Sequence, residues 1–358
     1  MSNNAVPVRI RVVGVGGAGG NAISRIAARN PLGLELLALN TDVQALGRMP
    51  AIHTFAIGPA TTRGMGSGGD ATVGRKAIRE SLEQVGQLVK DADLVFIAAG
   101  MGGGTGTGAA PLVADLARKS GALTVGVVTS PFTFEGKRRT ELAKEGLRAL
   151  SQKVDTIITI DNNRLLSSLE GEPSLDASFR MADEVLRQGV EGIAEIVSVP
   201  GLINVDFADV RFLMTGGGPT FMAIGEGKGK SAADDAIESA LSNPLFDTPL
   251  HGCSGLLLNV KGGKDLTLAQ VHKIAGVVRN ASHSEAEVLL GVVNDKRWKK
   301  RVTVTLVATG IRPDEAITEE SDALSLESIL AGARLKRSLS AAETCDAEAI
   351  LVSQARLS

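Results

Sequence analysis

The chain predicts an α/β fold, in which a Rossmann-like parallel-sheet domain is joined by one long central helix to a second α/β domain with a mixed sheet. Three observations predict it. Short β-branched runs alternate with amphipathic stretches through the first half, the pattern of a parallel sheet covered on both faces. Glycine-rich turns join strand to helix at GVGGAGGN (14–21) and GMGGGTGTG (100–108). One uninterrupted helical stripe then separates two regions of different texture.

Taken in order, the first strands are RIRVVGV (9–15), LELLALN (34–40), HTFAIG (53–58), DLVFIAAG (93–100), LTVGVVT (123–129) and TIITID (156–161). Between them lie the helical patterns GNAISRIAAR, ATVGRKAIRESLEQVGQLVKD and RRTELAKEGLRALSQKV. Over 176–200, Phe179, Ala182, Leu186, Val190, Ile193 and Val197 recur at three- and four-residue steps, and Pro200-Gly201 ends the helix. Beyond it RFLMTGG, TFMAIGEG, CSGLLLNVKGG, AEVLLGVVN and RVTVTLVATGI read as strands, with SAADDAIESALS and TLAQVHKIAGVVRN as helices between them. The expected division is 1–175, a central helix 176–200, a second domain 201–312, and a tail 313–358 rich in Glu, Ser, Ala, Lys and Arg, with a possible helix over 323–339.

The 358 residues carry a formal net charge of -2 and lack tyrosine, which gives no electrostatic or stacking reason to expect nucleic acid. Two distant cysteines, Cys253 and Cys345, form no CxxC, so neither a disulfide framework nor a zinc site is expected. The four histidines match no metal spacing. Neither a signal-peptide pattern nor an apolar run of spanning length occurs, and a soluble cytoplasmic protein without membrane insertion is expected.

Glycine is costly to order, so six in the twelve residues of GMGGGTGTGAAP require a purpose. Without Cβ atoms, successive N–H groups can wrap an anion, and a following helix N-terminus adds partial positive charge. The hydroxyls of Thr105 and Thr107 are further candidate phosphate donors. For residues 14–20 alone, a tight connection and a binding site are comparable readings. Gly14, Gly16 and Gly19 spell G-x-G-x-x-G, with Asp42 as a candidate ribose acid, so an NAD-dependent oxidoreductase is a rival. A dinucleotide site needs one such loop. Two on neighbouring strands suggest a di- or triphosphate gripped from two sides, with TTRGMGSGGD (61–70) closing over its end. GEGKGKS (225–231) is one residue short of a P-loop and reads as an exposed turn.

GGGTGTGAAP, with NTDVQAL (40–46), SPFTFEGKRR (130–139), VLRQGVEGIAEI (185–196), GLINVDFADVR (201–211) and VTVTLVATGI (302–311), closely resembles FtsZ, the bacterial cell-division GTPase family of the tubulin superfamily, over roughly residues 8–312. The resemblance implies GTP and GDP as ligands, with Mg2+, a GTP-binding domain over 1–175 and a C-terminal GTPase-activating domain over 201–312. It implies phosphate contacts from Gly17, Ala18, Gly19, Gly20 and Asn21, from Gly103, Gly104, Thr105, Gly106 and Thr107, and from Gly68 and Gly69. Asn40, Thr129 and Pro131 belong to the same set. Glu135 and Arg139 match the ribose-proximal pair, and Asn162 and Asp183 the guanine readers, with Phe179 beside the ring. A carboxylate at Asp183 suits guanine, because it accepts from N1–H and the 2-amino group together.

Asp206 and Asp209, with Asn204 in the same loop, are the implied catalytic residues. On residue type alone, Asp206 caps a helix and Asp209 favours its dipole. In the family this loop enters the next subunit's nucleotide site and polarises the attacking water, which implies a head-to-tail filament, activation by self-assembly, and a place in the division ring at midcell. Three departures stand out. Asp161-Asn162-Asn163 replaces the family's usual Pro-Asn-Asp. Lys296 to Arg301 form a basic cluster where the family runs acidic, read here as a solvated hairpin. The ending AEAILVSQARLS lacks the peptide that docks membrane tethers and division partners. A filament-forming paralogue without a direct division role and a nucleotide-bound static filament therefore remain alternatives.

Overall fold

The computed structural model describes residues 8–30, 32–167, 174–243, 250–295 and 298–310. The tail 313–358 with its expected helix, and Lys296 and Arg297 of the basic cluster, lie outside the described residues. In chain order the elements are β1 (Ile10–Val15), α1 (Gly16–Ala27), β2 (Glu35–Asn40), α2 (Val43–Leu46), β3 (His53–Ala56), α3 (Pro59–Thr62), α4 (Ala71–Glu80), α5 (Leu82–Val89), β4 (Leu94–Gly100), α6 (Gly104–Lys119), β5 (Leu123–Ser130), α7 (Lys137–Ser151) and β6 (Thr156–Asp161). There follow α8 (Asn162–Ser167), α9 (Leu175–Ser198), α10 (Phe207–Met214), β7 (Gly218–Lys228), α11 (Ala232–Leu241), β8 (Gly255–Gly262), α12 (Leu268–Ala281), β9 (Glu287–Asn294) and β10 (Arg301–Thr309).

The strands order as β3-β2-β1-β4-β5-β6-β7-β10-β8-β9. From β3 through β7 every pairing is parallel, β10 is antiparallel to both β7 and β8, and β9 is parallel to β8. The chain reverses its direction of strand addition between β1 and β4, and ligands of doubly wound sheets bind at the carboxyl ends of strands beside such a reversal.

Alternation along the strands divides the parallel sheet's core between its faces. Val12, Phe96 and Val125 join the side chains of α1 and α9, whereas Val13, Val95 and Ile97 join those of α4 to α6. The expected stripe on the central helix holds in its middle, where Leu186, Val190 and Ile193 are at most 1% exposed. Ser174 caps this helix by accepting from the Ala177 N–H.

The expected single helix after 71 is broken at Ser81, whose hydroxyl accepts from the Gly58 N–H at 3.0 Å and so ties the break to the end of β3. RFLMTGG is not a strand. Val210, Leu213 and Met214 are buried while Phe212 is 74% exposed, a helical spacing, and α10 consumes RFLM. GEGKGKS is an exposed turn only from Gly229, which has φ +84°. Gly225 and Gly227 lie in β7, where a Cβ would collide with the α11 backbone, so they permit close packing of helix on strand. Nor do β9 and β10 form a hairpin, because β8 lies between them. The connection instead carries Trp298, whose ring centre lies 5.0 Å from the Lys261 ammonium and 4.7 Å from the Arg301 guanidinium.

Candidate functional site

The two glycine turns open into helices: α1 begins at Gly16, straight after β1, and α6 at Gly104, after the three residues that follow β4. Gly16 has φ +75°, and a Cβ there would stand 3.0 Å from the Gly106 nitrogen, so the turns abut. Gly19 lies so close to β4 that a Cβ would collide with the Ala98 carbonyl oxygen. At Gly17, Gly103, Gly68 and Gly69 no atom beyond the adjoining residues and the local helix backbone comes within 4 Å of where a Cβ would be. The glycines therefore fall into two groups. Gly16, Gly19 and Gly106 bring the helix starts together, and the second group leaves open backbone around them.

Ala18 sits at the base of this cradle, its Cβ 2.6 Å from where one on Gly100 would be, with the Thr129 hydroxyl at 3.5 Å. Pro131 is buried beside Gly102. Both candidate hydroxyls face protein. Thr105 shares hydrogen bonds with the Thr41 hydroxyl at 2.7 Å and the Ser67 hydroxyl at 3.0 Å, and Thr107 accepts from the Gly102 N–H at 2.9 Å. Thr105 thus ties the second turn to the end of β2 and to the 61–70 loop. That loop is pinned further by Val43 N–H donating to Gly64 O and Gly66 N–H to Thr41 O. Asn40 is buried at the end of β2 and accepts from the Asp42 N–H at 3.3 Å. Sequence reasoning misses Thr41 and Ser67, because no spacing rule marks them.

On the other side of the cradle, Glu135 accepts from the Phe132 N–H at 2.9 Å and pairs with Arg139 one turn on. Asn163 N–H donates to Asp161 while its own Oδ1 accepts from the Thr133 N–H at 2.8 Å, which ties the end of β6 to the 132–135 turn. Asn162 is 5% exposed and its Oδ1 has no hydrogen-bond partner. A buried unpaired acceptor is costly and points to a ligand donor. Asn21 lies exposed on α1, and across from it Phe179 packs edge-on to Phe132 at 5.3 Å. Between α1 and α9 opens a cleft of about 430 Å³ lined by Asn21, Ser24, Arg25, Phe179, Arg180 and Asp183. Asp183 is 8% exposed and is no solvated surface residue. Burial pushes its carboxyl up, and Arg25 at 3.1 Å draws it back.

Asp206, Asp209 and Asn204 are elsewhere. Asp206 occupies the N-cap of α10, yet its side chain takes no helix N–H, unlike Asp42 and Asp70, which cap α2 and α4. The capping role expected from residue type is not made. Asn204 Oδ1 instead accepts from the Gly201 N–H at 2.6 Å and shapes the loop. Both carboxylates are exposed. Arg211 of α10 donates to Asp93 O and Gly121 O, just before β4 and β5 begin, whereas the glycine turns follow the strand ends. Seven residues of β4 separate these edges, roughly 20 Å of strand.

Fold and site define an α/β protein whose two glycine turns meet at the topological switch point, where sheets of this kind bind ligands. Residues 9–170 match the Tubulin/FtsZ family, GTPase domain, and residues 218–312 the FtsZ family, C-terminal domain. An empty FtsZ dimer from M. jannaschii is 42% identical with a TM-score of 0.82, the match covering 86% of this chain and 89% of that one. A second FtsZ structure from that organism, a point mutant, is 42% identical with a TM-score of 0.81 and covers 85% and 92%. A GTPgS-bound CetZ2 protofilament from Haloferax volcanii, 21% identical with a TM-score of 0.73 and coverage of 91% and 98%, shares the fold. The chain belongs to the FtsZ family, with the family's GTPase domain and its implied binding of GTP and GDP. Among the described residues no helix is long and apolar enough to cross a membrane.

Proposed function

We propose that this chain hydrolyses GTP as a head-to-tail filament, with each active site built from two subunits. The observation that carries the reading is the placement of the carboxylates. Asp206 and Asp209 stand at the edge of the parallel sheet opposite the glycine turns, too far to act on a nucleotide held by their own subunit. A second copy stacked edge to edge brings them to a neighbour's phosphates. Such a contact is heterologous and extends into a filament. Exposed apolar side chains stand near both edges: Leu202, Ile203 and Phe212 around the carboxylate loop, and Val43 and Met65 beside the cradle. The FtsZ dimer and the CetZ2 protofilament support self-association by kinship.

In this reading the open backbone at Gly17, Gly68, Gly69 and Gly103, with Gly20 and Gly104 beside it, holds the phosphates, and both helix N-termini add favourable charge. Glu135 and Arg139 hold the ribose, and Asn162, Phe179 and Asp183 read the base. Asp206 and Asp209 of the incoming subunit orient the water and take its proton. Mg2+ would accompany the nucleotide and offset the charge of its phosphates. Residues 1–175, 176–200 and 201–312 then serve as GTP-binding domain, connecting helix and GTPase-activating domain. Loss of the terminal phosphate weakens the subunit contact and completes an assembly cycle. The cellular role is the cytoplasmic division ring at midcell. Sedimentation tests the assembly step: pelleting with GTP but not with GDP is expected, and equal pelleting with both contradicts it.

A further inference from the structure

Asp183 has a partner that reading a base does not require. Arg25, in the last turn of α1, donates from Nη2–H and Nε–H to the same Asp183 Oδ2 at 3.1 and 3.3 Å. The Asp183 side chain is 12% exposed and that of Arg25 35%, so the carboxylate is sealed while its partner still reaches the cleft. Other charged groups nearby are matched among themselves: Arg180 pairs with Asp176, and Glu184 with Arg187. Arg25 is the cation that Asp183 faces from α1.

The chemistry of the pair is specific. A guanidinium offers N–H donors along one edge of a planar N–C–N unit. Guanine's N1–H and 2-amino group present the same N–C–N unit with donors on the same edge. Adenine has an acceptor at N1 and no 2-amino group. We propose that Arg25 is a resident stand-in for the guanine edge, paired with the Asp183 carboxylate and yielding it to the incoming base. The proposal rests on Asp183 being the base reader. Guanine replaces both donors and frees Arg25 to solvent, whereas adenine cannot replace them and leaves the pair intact. Specificity then arises from what must be displaced as well as from what is gained. Arg25 also lowers the Asp183 carboxyl's pKa, opposing the burial that raises it.

The test is GDP and ADP affinity of the full chain, by titration calorimetry from pH 6 to 8.5. Arg25→Met removes the competitor but keeps the apolar stem. Its GDP affinity is expected to rise about fivefold at pH 8.5, the scale of one half-exposed ion pair. The gain is expected to shrink toward the acid end of this range by more than any change in the wild type, because burial raises the Asp183 carboxyl and Arg25 no longer lowers it. Arg25→Lys keeps the charge without the planar edge; it is expected to restore the wild-type profile and controls for folding. Weaker GDP binding by Arg25→Met at pH 8.5 would overturn the proposal by making Arg25 an ordinary ligand contact, and unchanged affinity would make it a bystander. Asp183→Asn separates the two levels. If it keeps guanine preference, the base-reading role itself fails. If it loses preference while Arg25→Met matches the wild type, only the role of Arg25 fails.

Discussion

Gly16 and Gly106 touch across the sheet's switch point: a Cβ on Gly16 would stand 3.0 Å from the Gly106 nitrogen. Two helix N-termini therefore converge on one place, which a single-loop dinucleotide site does not need. Beside the family match, this contact is the structural reason to set aside the oxidoreductase reading of G-x-G-x-x-G.

The division of labour among the glycines is open to measurement. Gly19→Ala forces a Cβ onto the Ala98 carbonyl oxygen and is expected to cost about 2–3 kcal/mol of stability without nucleotide. Gly17→Ala meets no atom within 4 Å beyond the adjoining residues and the local helix backbone, and is expected to unfold within about 0.5 kcal/mol of the wild type. Its nucleotide affinity should nonetheless fall. Equal thermal destabilisation of the two variants would refute the division.

Asp209→Ala is expected to lose GTP turnover by about 10²- to 10⁴-fold while GTP binding and filament formation persist. The exposed side chain supports no packing, so stability should stay within about 0.5 kcal/mol. Hydrolysis at the wild-type rate by this variant would remove the carboxylates from the mechanism.

Asp183→Ala is expected to lower discrimination against ATP by about 10²-fold, since a site built to pair a base's N–H groups rejects analogues lacking them. Competition of ATP against labelled GTP reads this out directly. Undiminished preference would assign base recognition elsewhere, with the unpaired Asn162 Oδ1 the next candidate.

Burial pushes the Cys253 thiol up from 9.0 to about 11. Its folded value lies above its unfolded one, so the associated stability is complete below about pH 9 and is lost as the pH rises through about 11, at most about 3 kcal/mol. Urea unfolding of Cys253→Ala should therefore show a shallower fall over that window than the wild type. Parallel curves would mean the thiol is not held protonated by the fold.

Much of the site is readable because its signals are local. GVGGAGGN and GMGGGTGTG announce strand-to-helix turns in consecutive residues, and the stripe from Ala182 to Ile193 announces the central helix at a fixed period. What escapes depends on distance in sequence. Thr41 and Ser67 matter because Thr105 bonds to both, and Arg25 because Asp183, 158 residues on, packs across the cleft. RFLM looks like a strand because four residues cannot distinguish a period of two from one of 3.6. The order β10-β8-β9 is unreadable because adjacent strands in sequence usually pair, and here β8 intervenes.

The most direct test of the shared active site is phosphate release with GTP and Mg2+ across protein concentration, followed in parallel by light scattering. The account predicts a specific rate that rises above a threshold concentration together with scattering. A rate per subunit that is the same at every concentration would show that each chain holds its own complete site, and would contradict it.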